Sequence, residues 1–153
     1  MVRRAAMLSI PLLVAGCAGA PARVEQPPAA SVRAAIAELA LSMVGVPYRF
    51  GGADPEEGFD CSGLVHFTYR SHGQPVPRTA RAQFEASRRI ALADAAQADL
   101  VYFSDEEGLS HVGIYLGNGR FVHAPSSGGA VRVDLLDSPW YRRHLVAVAR
   151  LLP

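Results

Sequence analysis

Residues 58–73, GFDCSGLVHFTYRSHG, decide how this chain is read. Asp60 is a residue type that caps helix starts and Gly73 one that ends helices, while Leu64, Val65, Phe67 and Thr68 supply an apolar side between them. The stretch predicts an amphipathic helix with Cys61 in its first turn. Unpaired N–H groups and the helix dipole favour an anion there. A thiol with an ordinary pKa of about 8.5 attacks as its thiolate, so a helix start is a favourable seat for a nucleophile. Most cysteines are buried core residues; position is what sets Cys61 apart.

Upstream, VPYRFGGADPEEGFD (46–60) is rich in Gly and Pro and reads as a long irregular loop, with Asp54, Glu56 and Glu57 as solvated acids. Before it, a helix is expected over 31–44, with Ser31 as cap, Val32, Ile36, Leu39, Ala40 and Met43 at helical spacing, and Gly45 as the stop. Downstream, a short third helix is expected over 79–88, after the turn containing Pro75 and Pro77. From Ile90 the period changes. Segments 99–103, 111–116, 120–124, 130–135 and 145–151 are short, rich in Val, Ile, Tyr and Phe, and separated by turn residues, which predicts antiparallel strands. Helices followed by strands give an α+β domain, the helices packed on an antiparallel sheet.

Of the 5 histidines, two are placed to serve a thiol. His111 opens a predicted strand after the flexible stretch SDEEGLS, and His123 lies in the next strand. A nucleophile, a base and a group that orients the base are what nucleophilic catalysis needs. His66, His72 and His144 read as solvated or capping residues. For His111 and His123 to share a sheet face, the hairpin joining their strands needs a three-residue loop, Gly117-Asn118-Gly119. Leu116 then pairs with Arg120, Gly119 takes positive φ, and His123 falls opposite Gly113.

Four segments, PYRFGG, FDCSGLVHFTY, VPRTARAQ and SHVGIYLGNGRFVHAPSSGG, together resemble the NlpC-type cell-wall cysteine peptidases, bacterial relatives of the papain fold. The resemblance spans the whole expected folded part, 31–153. It implies Cys61 as nucleophile, His111 as general base, and His123 as the polar third residue. It further implies Tyr48 beside the oxyanion, with Asp60 and Ser62 at positions that contact substrate in some members. The backbone N–H of Cys61 is a second oxyanion donor. The implied substrate is the stem peptide of peptidoglycan, cut between D-glutamate, through its γ-carboxyl, and a diamino acid, or between D-alanine and a diamino acid across a crosslink. The sequence does not choose between them. One departure concerns the entry to the first long strand, where the family's Pro-Gly-Asp is Gln97-Ala98-Asp99 here; loss of the turn glycine puts the local backbone in question. Three other readings stand beside the peptidase: a zinc site, a wall-binding lipoprotein without catalysis, and an amidase or acyltransferase. No cofactor or metal is expected.

The amino terminus has the order of an export signal: Arg3 and Arg4, an apolar run over 7–14, then Ala15 and Gly16 before Cys17. The stretch LVAGC resembles the bacterial lipobox, which implies a signal peptide over 1–16 and a lipid on Cys17 that holds the chain to a membrane. Ala18 in place of Asp implies the outer membrane. Residues 17–30, rich in Ala and Pro, read as a flexible tether. If Cys17 is lipidated, Cys61 is left without a disulfide partner, and an idle thiol in an oxidising compartment needs an explanation. All 15 basic residues are Arg, yet they alternate with 14 acids to a net charge of +1. No basic stripe exists, which excludes a nucleic-acid binder. A monomer is expected.

Overall fold

The computed structural model describes residues 29–127 and 129–152. The export signal, the lipobox with Cys17 and the tether up to residue 28 lie outside the described residues. Among those described, no helix is long and apolar enough to cross a membrane.

The first helix, α1 (Ala29–Ser42), starts ahead of the expected cap at Ser31. Alanine is the best helix former, and the pair Ala29-Ala30 carries the helix past that serine. Gly45, at φ 95°, turns the chain away from the helix axis. The loop that follows is more ordered than its composition suggests, because β1 (Ala53–Asp54) and β2 (Gly58–Phe59) pair within it as a small antiparallel ribbon. The second helix, α2 (Cys61–Arg70), opens as expected, with the Asp60 side chain accepting the Gly63 N–H. It ends at Arg70, and Gly73 takes a left-handed conformation, φ 70°, in the turn beyond. The third helix, α3 (Ala80–Ala86), is capped by Thr79.

Strands β3 (Arg88–Ile90), β4 (Leu100–Asp105), β5 (Gly108–Gly117), β6 (Arg120–His123), β7 (Arg132–Leu135) and β8 (Leu145–Arg150) form one six-stranded antiparallel sheet in the order β3-β8-β4-β5-β6-β7. The stretch SDEEGLS, expected as a flexible loop, is the hairpin between β4 and β5, in which Asp105 pairs with Gly108. Strand β3 and a short helix, α4 (Pro139–His144), were not expected either. Helices α1 to α3 cover one face of the sheet, where Ile36, Leu64, Val65, Tyr69, Leu100, Val112, Ile114 and Val122 form the main core. The opposite face carries a second cluster of Val101, Phe103, Tyr115, Phe121, Leu136 and Val148, with Tyr141 of α4 packed against it.

The hairpin between β5 and β6 differs in detail from expectation. Arg120 pairs with Gly117 rather than Leu116, and the extra residue is taken up in a register shift between Tyr115 and Gly117. Asn118 and Gly119 both have positive φ, 53° and 71°, the signature of a tight hairpin turn. Beyond the shift Tyr115 faces Phe121 and Ile114 faces Val122. A bulge thus does what a longer loop was expected to do, leaving His111 and His123 on one face. The departure at Gln97-Ala98-Asp99 keeps the left-handed backbone without glycine: Ala98 sits at φ 62°. Asp99 beside it is fully buried and ion-paired to Arg33 of α1 at 2.9 Å and Arg150 of β8 at 2.7 Å.

Candidate active site

The start of α2 is built by close backbone packing. A methyl group placed on Gly63 would lie 1.9 Å from the Gly52 carbonyl oxygen, so only glycine lets the loop rest against the helix. That same carbonyl accepts the Asp60 N–H at 3.0 Å and an Arg78 N–H at 3.1 Å. Asp60 is the hub. Its Oδ1 accepts from the Gly63 N–H at 2.6 Å, Ser62 Oγ at 3.1 Å and Arg78 at 3.0 Å; its Oδ2 accepts from the Gly51 N–H at 3.0 Å and Arg78 at 2.8 Å. Burial pushes this carboxyl up, but Arg78 and the Gly63 N–H outweigh it and hold Asp60 below the ordinary carboxylate value.

Cys61 is therefore fixed at the helix start. Burial pushes its thiol up, as does the Asp60 charge, while the N–H groups of Val112, Ser62 and Cys61 itself pull the other way; the net shift is upward. The favourable effect of the Val112 N–H places the sulfur near β5, one residue along from His111. Tyr48 lies beside the thiol: burial, then the charges of Cys61 and Asp60, raise its phenol above the ordinary value. Its loop is anchored by the Tyr48 N–H donating to the Gly129 carbonyl at 2.9 Å.

On the sheet, side chains form a chain. His111 Nε2 lies 2.7 Å from His123 Nδ1, and His123 Nε2 lies 2.9 Å from Asp134 Oδ2. Two further donors converge on that oxygen, Arg132 Nε at 2.8 Å and Tyr141 Oη at 2.9 Å. Gly113 leaves room for this cluster, since a methyl there would approach the Phe121 ring to 2.6 Å and His123 Cβ to 3.3 Å. The rings of Phe103 and Phe121 pack on His111 and His123 at centroid distances of 5.9 and 4.7 Å. Burial pulls both imidazoles down, His111 to about 3 and His123 to about 4 despite the Asp134 charge. Both are neutral at neutral pH, so the contact between His123 and Asp134 is a hydrogen bond from a neutral ring to a carboxylate. Burial pushes Asp134 up, but its three partners hold it below the ordinary value.

The expected residues Tyr48, Asp60, Cys61 and Ser62 are gathered at the start of α2, and His111 and His123 on β5 and β6. Asp134, Arg132, Tyr141 and Arg78 were not singled out from sequence. The first two stand alternately on β7, where His123 faces Arg132 and Phe121 faces Asp134. A charged pair at strand spacing was the available signal. The remaining histidines bond to backbone carbonyls: His66 to Val76, His72 to Thr68 and His144 to Trp140. A cleft of about 450 Å³ opens beside His111, walled by Ser110, Ser126, Ser127, Arg132, Trp140 and Tyr141 among others.

A thiol at the start of a helix packed on the strand that carries an imidazole chain is an arrangement that can carry acyl transfer through a thioester. The chain belongs to the NlpC/P60 family, whose family model matches residues 45–150. It is 42% identical over 115 residues to the bifunctional muramidase/DL-endopeptidase CwlT of Bacillus subtilis, covering 73% of this chain and 34% of that protein. It is 35% identical over 117 residues to the murein DD-endopeptidase MepH of Escherichia coli, covering 73% and 43%. Among solved structures, a lipoprotein-like NLP/P60 family protein from Staphylococcus aureus superposes with a TM-score of 0.74 at 35% identity, over 80% of this chain and 42% of that one. The chain thus spans less than half the length of each of these relatives.

Proposed function

We propose that this protein is a cysteine endopeptidase that cuts stem-peptide bonds of peptidoglycan, with Cys61 as nucleophile, His111 as base and His123 as its orienter. The observation that carries the reading is Cys61 at the capped start of α2, a helix packed on β5, where the His111 imidazole is itself bonded to His123. Because burial raises the thiol and lowers the imidazole, the resting pair is neutral. The thiol proton passes to His111 as sulfur bonds to the substrate carbonyl carbon. The carbonyl oxygen becomes an oxyanion, met by the Cys61 N–H and the Tyr48 hydroxyl. Collapse breaks the C–N bond, and His111 returns its proton to the leaving amine. Water, deprotonated by His111, then releases the acyl group from sulfur.

Asp60 and Ser62 border the substrate in this reading. Asp60 also holds Arg78 and the Tyr48 loop, since its oxygens already accept from five donors. The cleft beside His111 receives the amine side of the bond, because the group that protonates the leaving amine must lie next to it. The names of the two curated relatives divide between DL- and DD-endopeptidase, matching the two bonds left open above. We assign the enzyme to the bacterial cell envelope as a monomer, held at the outer membrane by a lipid on Cys17 and facing the periplasm.

Digestion of purified sacculi, with mass identification of the fragments, tests this function. Release of peptides that begin at the diamino acid, leaving glycan-bound stems that end at D-glutamate, or glycan-bound stems freed of their crosslinks, is the expected result and chooses the bond. Release of free stems from the glycan would instead show an amidase. Wild-type protein found in the soluble fraction of cells would refute the lipid anchor, and Cys17→Ser is expected to release it or block its maturation.

A further inference from the structure

We infer that Asp134 is a positioning residue of this site: by accepting the His123 Nε2 proton it sets the tautomer of both imidazoles and leaves the His111 Nδ1 lone pair as the base. The inference rests on the proposed role of His111 and extends it by one residue.

The argument follows the direction of each proton. An ionised carboxylate accepts hydrogen bonds and donates none. Asp134 Oδ2 lies 2.9 Å from His123 Nε2, so that nitrogen carries the hydrogen. A neutral imidazole has one N–H, which leaves His123 Nδ1 as an acceptor. Its partner at 2.7 Å is His111 Nε2, so that nitrogen is the donor. The second His111 nitrogen, Nδ1, then holds the free lone pair. Without the carboxylate, His123 can reverse. It would donate from Nδ1 to His111 Nε2, move the His111 hydrogen to Nδ1, and block the base.

The surroundings of Asp134 keep it in the accepting state. Arg132 Nε at 2.8 Å is an obligate donor, and Tyr141 Oη donates at 2.9 Å, so three donors converge on one oxygen. Arg132 also fixes the effect of charge. At His111 the Arg132 charge disfavours the protonated ring and the Asp134 charge favours it, so the two oppose each other. What remains specific to Asp134 is the direction of the hydrogen bonds. This makes Asp134→Asn informative: Arg132 Nε must still find an acceptor, which turns the amide oxygen toward the cluster and lets it accept the His123 proton as before.

The test uses the full chain and two variants. Expected are a loss in kcat of about 10²-fold or more for Asp134→Leu with KM nearly unchanged, and a loss of no more than about 10-fold for Asp134→Asn. Nitrogen NMR of histidine-labelled protein reads the tautomers directly. His111 is expected as the Nε2–H form in the wild type and Asp134→Asn, and as the Nδ1–H form in Asp134→Leu. Asp134→Leu with wild-type kcat, or His111 as Nδ1–H in the wild type, would overturn the inference. The wild-type spectrum needs neither a folded variant nor any hydrolysis, so it decides this point even if the hydrolase reading fails.

Discussion

The proposed nucleophile and its proposed base are held by opposite means. Around Cys61 the contacts are largely backbone: the Gly52 carbonyl against Gly63, and the N–H groups of Gly51 and Gly63 on Asp60. Around His111 they are side chain to side chain, a row of His111, His123 and Asp134 closed by Arg132 and Tyr141 and wrapped in aromatic rings. Backbone packing fixes a position and tolerates no added atom. A side-chain row fixes proton direction and can be retuned one residue at a time. Damage to the first region should therefore act through the fold, and damage to the second through chemistry and pH.

The largest effect belongs to the atom that both regions serve. Cys61→Ala is expected to lower hydrolysis of sacculi by roughly 10⁴-fold or more while leaving the thermal transition in place. A thiol alkylating reagent should inactivate the wild type, whereas a chelator should not. Inhibition by chelator that zinc restores would replace the thiol mechanism with a metal one. His111→Ala is expected to lose at least as much activity as His123→Ala, since a base does more than its orienter; the reverse order would exchange the two roles.

Two glycines, one in each region, sharpen the comparison. Gly63→Ala drives a methyl to 1.9 Å from a backbone oxygen, whereas Gly113→Ala meets the edge of the Phe121 ring at 2.6 Å. Backbone at the loop junction cannot yield without lifting the Tyr48 loop, so Gly63→Ala should cost about 3 kcal/mol and most of the activity. A ring can tilt, and Gly113→Ala should cost less, about 1–2 kcal/mol. Chemical denaturation of both variants measures the order. Equal costs would mean that the sheet side is as rigid as the helix side.

This contrast also explains what was legible in the sequence. The Cys61 end is local: cap, thiol and the glycine that admits the loop lie within residues 60–63, so a motif shows them together. The sheet end depends on register. His111 and His123 were read correctly as sharing a face, but through a longer loop rather than the bulge between Tyr115 and Gly117. Asp134 and Arg132 joined them only once β7 was paired to β6, and Tyr141 only once α4 had folded over the sheet. That helix covers only residues 139–144, too few to show a period, although Ser138 and Pro139 were starting signals.

Acid separates the two regions more gently. Both imidazoles have folded values below the ordinary 6.5, His111 at about 3 and His123 at about 4. The unfolded chain then binds more protons between these limits, so stability is complete above about pH 6.5 and falls as pH drops toward 3. Asp60 lies below its ordinary 3.8, so its contribution is present above that value and lost only beneath it. Asp99 and Asp134 are also lowered and follow Asp60 into that lower window. Urea midpoints measured from pH 7 to 4 should therefore decline in the wild type and decline less steeply in His111→Gln. A flat wild-type profile over this range would mean that the imidazoles are not buried as neutral rings.

The smallest expected effect falls where the two regions are joined. The Tyr69 hydroxyl of α2 donates to the Ala98 carbonyl, and the Ala98 N–H donates to the Tyr115 carbonyl of β5 at 2.9 Å, so the helix of Cys61 is tied to the strand of His111 through Ala98. Its φ of 62° costs a side-chain residue about 1–2 kcal/mol, which glycine would relieve. Against that gain, Ala98 is fully buried: its methyl contributes about 0.8 kcal/mol, and glycine adds about 0.5–1 kcal/mol of unfolded-chain entropy. The terms cancel to within about 1 kcal/mol. Ala98→Gly should shift Tm by no more than about 4 °C and leave activity intact. Ala98→Val, which keeps the strain and adds a branched side chain at a φ that such residues avoid, should lower Tm well beyond that. If valine were tolerated as well as glycine, the left-handed turn would not hold the two regions together, and the packing of α2 on β5 would have to align them.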